Sequence, residues 1–220
     1  MELKSIRSSL PKELYEILEK EITKLRPAQE KSVKKGLLEG KSLLVCTPTA
    51  SGKTLIAELA AMKSIIEGKG KAVYIVPLKA LASEKYRDFR RRYGNISRIA
   101  LSIGDADSAD SFLAEYDLIV TTSEKLDSLI RHNAPWISGI ATIVIDEIHL
   151  LNDTERGPTL EILITILKKL LKNAQIIGLS ATIGNAEELA EWLQADLIAD
   201  EWRPVKLHKG IYLDGKIEFY

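Results

Sequence analysis

The stretch Ser42–Ile66 reads SLLVCTPTASGKTLIAELAAMKSII, and it decides the fold. Its first five residues, Ser42–Cys46, are an apolar run of strand length. Thr47-Pro48-Thr49-Ala50-Ser51-Gly52-Lys53-Thr54 follows, and then a series of good helix formers. Strand, glycine-containing loop and helix in that order form a cradle for phosphate, because loop amides and the helix N-terminus point at one spot. Thr49, Ala50, Ser51 and Gly52 supply the loop, Lys53 is set to reach β- and γ-phosphates, and the Thr54 hydroxyl is set to ligate Mg²⁺. Thr47 stands where the P-loop pattern has its first glycine. The competing reading, a Ser-Gly-Lys-Thr turn that only caps a helix, does not account for the strand in front of it.

The same alternation extends outward. Further apolar runs are Ala72–Val76, Arg98–Ser102, Asp117–Thr121, Ala141–Ile145, Gln175–Leu179 and Asp196–Ala199. Most are apolar on consecutive positions, as strands covered on both faces are. Between them lie amphipathic stretches at Thr54–Glu67, Lys79–Arg92, Ser123–Asn133, Thr159–Lys172 and Asn185–Leu193. The pattern predicts an α/β fold, a mainly parallel open sheet with helices on both faces. Such sheets bind ligands at the carboxyl ends of their strands. One strand end stands out there: Ala141–Ile145 runs straight into Asp146-Glu147-Ile148-His149. Adjacent carboxylates at the end of a buried strand need a counter-charge. Alone they read equally well as a capped turn. Paired with the phosphate loop, Asp146 becomes a metal carboxylate acting through the water shell of Mg²⁺, and Glu147 the base that orients and deprotonates a water.

Asp146-Glu147-Ile148-His149, together with Pro48–Thr54 before it and Ser180-Ala181-Thr182 after it, resembles the DExH helicases of superfamily 2. Pro77-Leu78-Lys79-Ala80-Leu81-Ala82, Arg156-Gly157-Pro158-Thr159-Leu160-Glu161 and Trp202-Arg203-Pro204-Val205 are similar to the Ski-like branch, and within it to the archaeal DNA helicases of the Hjm type. The resemblance runs from about Leu25 to about Leu207. It implies a RecA-like P-loop NTPase domain over residues 1–205, with 206–220 opening the connection to a second RecA-like domain. It implies ATP and Mg²⁺ as cofactors, ATP hydrolysis coupled to 3′-to-5′ movement on single-stranded or forked DNA in replication-fork repair, and an archaeal, cytoplasmic setting. By matching position, Gln29 would select adenine, His149 would link the nucleotide site to Ser180 and Thr182, and those two would couple ATP state to domain closure. Pro77, Lys79, Thr121, Thr122 and Lys125 would touch the phosphate backbone of the tracking strand. Arg26 stands where relatives of this type carry an aromatic residue.

Composition bounds these readings. The chain has 220 residues, 45% hydrophobic and 28% charged, which suits one globular domain. No apolar run approaches the roughly 20 residues of a membrane span, so no membrane partner is expected. The single Cys46 forms no internal disulfide and fits a reducing compartment. With 31 Lys+Arg against 31 Asp+Glu, the chain is not a uniformly basic nucleic-acid binder, although Lys85, Arg87, Arg90, Arg91 and Arg92 gather on one stretch. That cluster reads as a solvated face or as a strand-binding face. No second motif set is present, so an isolated chain should bind ATP weakly and hydrolyse it very slowly. An RNA helicase motor domain, a non-catalytic nucleotide-dependent binding module and another kind of P-loop ATPase are the alternatives. Ser180-Ala181-Thr182 and Gln29 speak against the last.

Overall fold

Each apolar run becomes a strand whose ends shift by at most one residue in the computed structural model, which describes residues 1–104, 110–206, 208 and 210–219. In chain order the elements are α1 (Lys12–Leu18), α2 (Pro27–Lys34), β1 (Leu43–Cys46), α3 (Lys53–Ile66), β2 (Lys71–Val76), α4 (Lys79–Tyr93) and β3 (Ile99–Ser102). There follow β4 (Leu118–Thr122), α5 (Ser123–Arg131), β5 (Ile140–Ile145), α6 (Gly157–Leu170), β6 (Gln175–Ser180), α7 (Ala186–Leu193), β7 (Asp196–Ala199), β8 (Gly210–Leu213) and β9 (Lys216–Phe219). The first seven strands form one sheet in the order β3-β4-β2-β5-β6-β1-β7, and all its pairings are parallel.

Side chains alternate across a strand, so each strand feeds two cores. Leu43, Val45, Tyr74, Val76, Val144 and Leu179 face one way, where α3, α4 and the N-terminal helices pack. Leu44, Cys46, Val73, Ile75, Ile143 and Ile145 face the other way, under α5, α6 and α7. Burying each large aliphatic side chain contributes roughly 1.5–3 kcal/mol, so this two-sided core supplies the main driving force. Cys46 is a buried core residue, and burial pushes its thiol pKa up.

Two regions carry structure that the periodicity did not predict. Residues 1–41 form a 3₁₀ helix (Leu3–Ser9), α1 and α2. These helices are too short to show a repeating pattern, and they earn their shape by burying Leu3, Leu14, Leu18 and Ala28 on the first core. Over residues 206–220, where the resemblance implies a connection, β8 and β9 form an antiparallel hairpin turning at Asp214-Gly215, both left-handed (φ 48° and 80°). Both strands of the hairpin are exposed. Leu207, Lys209 and Tyr220, which belong to that connection, lie outside the described residues. Among the described residues no helix is long and apolar enough to cross a membrane.

Candidate nucleotide site and nucleic-acid groove

The phosphate loop leaves β1 at Thr47, whose N–H donates to the Ser180 carbonyl of the neighbouring β6 (3.2 Å). The Thr47 and Ser51 hydroxyls pair with each other (2.7 Å) and are buried, which closes the loop from within. Ala50 and Gly52 both take left-handed backbone (φ 65° and 92°). At Gly52 a Cβ would also stand 2.5 Å from Gln29 Nε2, so glycine is required there on two counts. Lys53 opens α3 and donates to the carbonyls of Thr47 (2.8 Å) and Pro48 (3.4 Å). Burial draws its pKa down, while the charges of Glu147 and then Asp146 push it up, so both carboxylates act on this ammonium. Loop, lysine and the Asp-Glu pair therefore meet at one end of the sheet, as the motif order predicts.

Asp146 is buried, and each of its oxygens accepts one hydrogen bond. Tyr74 Oη donates to Oδ2 (2.8 Å) and the Glu147 N–H to Oδ1 (3.0 Å). A carboxylate has about four lone-pair sites, so acceptor capacity remains for hydrated metal. Tyr74 lies on β2, fully buried, with Phe89 of α4 edge-on at 5.1 Å. Burial, and then the charge of Asp146, hold its phenol well above the usual pKa, while the Thr54 hydroxyl beside it acts the other way. Glu147 is itself left-handed (φ 52°), an uncommon conformation for a side chain of this size that turns the chain sharply at the strand end. Together Thr54 and Asp146 form a two-residue oxygen donor set. That suits Mg²⁺, which usually keeps several waters and takes one or two protein ligands plus phosphate oxygens.

Gln29 is buried, and both ends of its amide are occupied. Its Oε1 accepts from the Arg26 N–H (2.8 Å) and its Nε2 donates to the Gly52 carbonyl (2.9 Å). It thus caps α2 and ties that helix to the phosphate loop, with one amide hydrogen and one acceptor site to spare. Arg26 donates to the Ala50 carbonyl (2.7 Å) and lies over the Trp202 ring (5.7 Å). Trp202, which the sequence shows only as part of a family signature, meets the phosphate-loop side through Arg26. His149 lies 3.3 Å from Glu147 Oε2. Among the described residues it makes no hydrogen bond to Ser180 or Thr182. Ser180 is buried with its Oγ unpartnered, and Thr182 is exposed.

A groove of about 470 Å³ lies beside the site, bordered by Pro77, Lys79, Gly104, Thr122, Lys125 and Arg156. The structure divides the five expected strand contacts. Lys79 is exposed at the start of α4 and Pro77 half-buried. Thr121 and Thr122 are buried, with the Thr122 hydroxyl capping α5 through Lys125 N–H (3.4 Å). Lys125 is only 5% exposed and is ion-paired with Asp110 (2.8 Å), so its charge is committed within the fold. Arg156 was read from the sequence only as part of a family signature. It lines both this groove and the crevice that holds Asp146 and Glu147. Gly157 makes that placement possible, since a Cβ there would stand 2.3 Å from the Leu151 carbonyl.

The basic stretch on α4 also divides. Arg90 and Arg91 pair with Tyr86 and Asp88 on their own helix and face solvent. Arg92 turns inward and bridges Glu58 of α3 and Glu21 (2.6 Å each), while Tyr93 Oη donates to the same Glu58 carboxylate (2.5 Å). A cleft of about 480 Å³ runs from Gln29 and Gly52 past Thr54 to Glu58, Lys85 and Arg92.

A parallel sheet carrying a phosphate loop on one strand and an Asp-Glu pair on another is the frame of a nucleotide-driven motor. Residues 26–189 match the sequence profile of the DEAD/DEAH box helicase family, and the chain belongs to that family. Its curated relatives include proteins named ATP-dependent DNA helicase Hel308. The one from Methanocaldococcus jannaschii is 57% identical over 205 residues, which are 90% of this chain and 17% of that protein. The one from Pyrococcus abyssi is 54% identical over 210 residues, 94% of this chain and 29% of that protein. Among solved structures, the DNA-bound crystal structure of the DUF1998 helicase MrfA is similar, with a TM-score of 0.76 and 27% identity. That match covers 88% of this chain and 30% of MrfA. The chain thus spans between 17% and 30% of the length of these relatives.

Proposed function

We propose that the chain is the ATP-binding motor half of a 3′-to-5′ DNA helicase of the replication-fork repair type, completed by a second RecA-like domain and working in the cytoplasm. The observation that carries this reading is the convergence of Lys53, Asp146 and Glu147 at one end of the sheet, with the lysine ammonium influenced by both carboxylates. Loop amides and Lys53 bind the phosphates, Thr54 and Asp146 hold Mg²⁺, and Gln29 offers its spare amide hydrogen and acceptor to adenine. Bound Mg²⁺ neutralises charge on the β- and γ-phosphate oxygens. Glu147, at a strand end whose backbone projects it from the sheet, accepts a proton from the attacking water. His149 orients that carboxylate. Ser180, whose carbonyl already holds the phosphate loop, passes loop position to Thr182 at the surface. The tracking strand runs along Pro77, Lys79 and the Thr121–Lys125 turn, and DNA is chosen over RNA by analogy with the relatives.

In this reading the 220-residue chain by itself binds ATP weakly and hydrolyses it very slowly, because phosphoryl transfer draws roughly 10³–10⁵ in rate from arginines supplied across the interdomain cleft. Glu147→Gln in a full-length protein tests the assignment. Turnover should fall by about 10²–10⁴ while Mg²⁺-dependent ATP binding persists, because a general base contributes that much. Turnover surviving the substitution would remove Glu147 as the base.

A further inference from the structure

Lys85 is a half-buried cation with no ion pair among the described residues. It sits in the middle of α4, and its ammonium donates to Thr54 Oγ1 at 3.2 Å. The nearby buried carboxylate is already taken: Glu58 carries both Arg92 and Tyr93. Thr54 is the hydroxyl assigned above to Mg²⁺. We infer that Lys85 is a resident cation of the metal site, which holds the Thr54 oxygen until Mg²⁺ arrives with nucleotide and then gives way. This rests on the nucleotide reading proposed above.

The physical basis is charge balance. Asp146 and Glu147 are two carboxylates that act on Lys53 at the start of α3, and a second cation beside Thr54 adds to the offset of their field. A lysine suits that task because its ammonium is a compact point charge on a flexible stem, able to withdraw into the open cleft. A singly and a doubly charged cation on the same hydroxyl oxygen repel strongly in a half-buried site, so the two exchange rather than coexist. The exchange also has a direction in space. The helix that carries Lys85 begins at Lys79, which borders the groove. Release of Lys85 removes one tie between α4 and α3 and leaves those of Arg92 and Tyr93 to Glu58, so metal-bound nucleotide loosens one contact of a groove-lining helix. By linkage, whatever draws Lys85 away from Thr54 favours metal binding to the same degree.

The test uses the 220-residue chain, a fluorescent ADP analogue and a titration with MgCl₂. Lys85→Met keeps most of the stem and removes the charge. The half-saturating Mg²⁺ concentration should fall by about fivefold or more, the low end of couplings between sites. Lys85→Arg restores a cation and should return the Mg²⁺ requirement towards that of the unmodified chain. Lys85→Gln serves as a second neutral variant, with thermal melts confirming that each protein is folded. An unchanged Mg²⁺ requirement in folded Lys85→Met and Lys85→Gln overturns the inference and leaves the nucleotide site standing. A raised requirement overturns it too and makes Lys85 a phosphate ligand instead. If the unmodified chain binds no analogue at any Mg²⁺ concentration, the nucleotide reading itself fails, and the inference with it.

Discussion

Tyr74 illustrates what one hydroxyl can do in a dry strand. It spans 72 positions in sequence to reach Asp146, and it fixes one of that carboxylate's two oxygens. Tyr74→Phe retains the ring against Phe89 and removes only the donor. A hydrogen bond to a charged group is worth about 1.5–3 kcal/mol, and loss of this one should lower unfolding free energy by about 1–2 kcal/mol, since Asp146 keeps the Glu147 amide. Urea unfolding at neutral pH measures it, and a loss below about 0.5 kcal/mol would mean that the bond contributes little. In the sequence Tyr74 is simply one more residue of an apolar run, and Lys85 one member of a basic cluster. Lys53, Thr54, Asp146 and Glu147 were legible because their neighbours in sequence define their chemistry. Tyr74, Lys85 and Arg156 were not, because their roles depend on residues brought close by strand order alone. Thr122 and Lys125 show the converse: residue types that suit phosphate contact, whose side chains already serve a helix cap and an ion pair within the fold.

The pairing of α3 with α4 ties the helix that follows the phosphate loop to its neighbour. Glu58 on α3 is buried, and from α4 come both the Arg92 guanidinium and the Tyr93 hydroxyl. Burial lowers the Arg92 pKa, but Glu58, Tyr93 and Glu21 together outweigh it, and the net direction is upward. Removing one partner of a buried ion pair costs about 3–5 kcal/mol, and Arg92→Met should cost about 2–3 kcal/mol, because Tyr93 still reaches Glu58 and Arg92 is partly solvated. Chemical unfolding of the variant checks this, with Arg91→Met on the solvent face as the comparison expected to change little. At this scale the main sheet and its covering helices were legible, since period-2 and period-3.6 patterns persist over whole elements. The short α1 and α2 were not, because a single turn or two lacks a period. The hairpin's Asp214-Gly215 is a strong turn signal that the reading passed over, its strands being too short and too exposed to look like part of a sheet.

At the scale of the molecule, the seven-stranded sheet and the hairpin share no strand pairing. Truncation after Val205 should therefore leave the melting temperature within about 2 °C, because a change of about 0.5 kcal/mol is all that exposed surface elements usually carry. Truncation before Asp196 should abolish the cooperative melt, since it strips β7 from β1. Thermal unfolding followed by far-ultraviolet circular dichroism separates the two. The place of β1 in the sheet has a further consequence. This strand is written near the beginning of the chain, yet among the described residues its ladder partners are β6 and β7, more than 125 residues later. As the polypeptide leaves the ribosome, Leu43–Cys46 has nothing to pair with until almost the whole sheet has been synthesised. Closing such a long loop is entropically slow. The phosphate loop is accordingly among the last parts of the molecule to acquire its shape, because the strand that launches it waits for partners made near the far end of the chain.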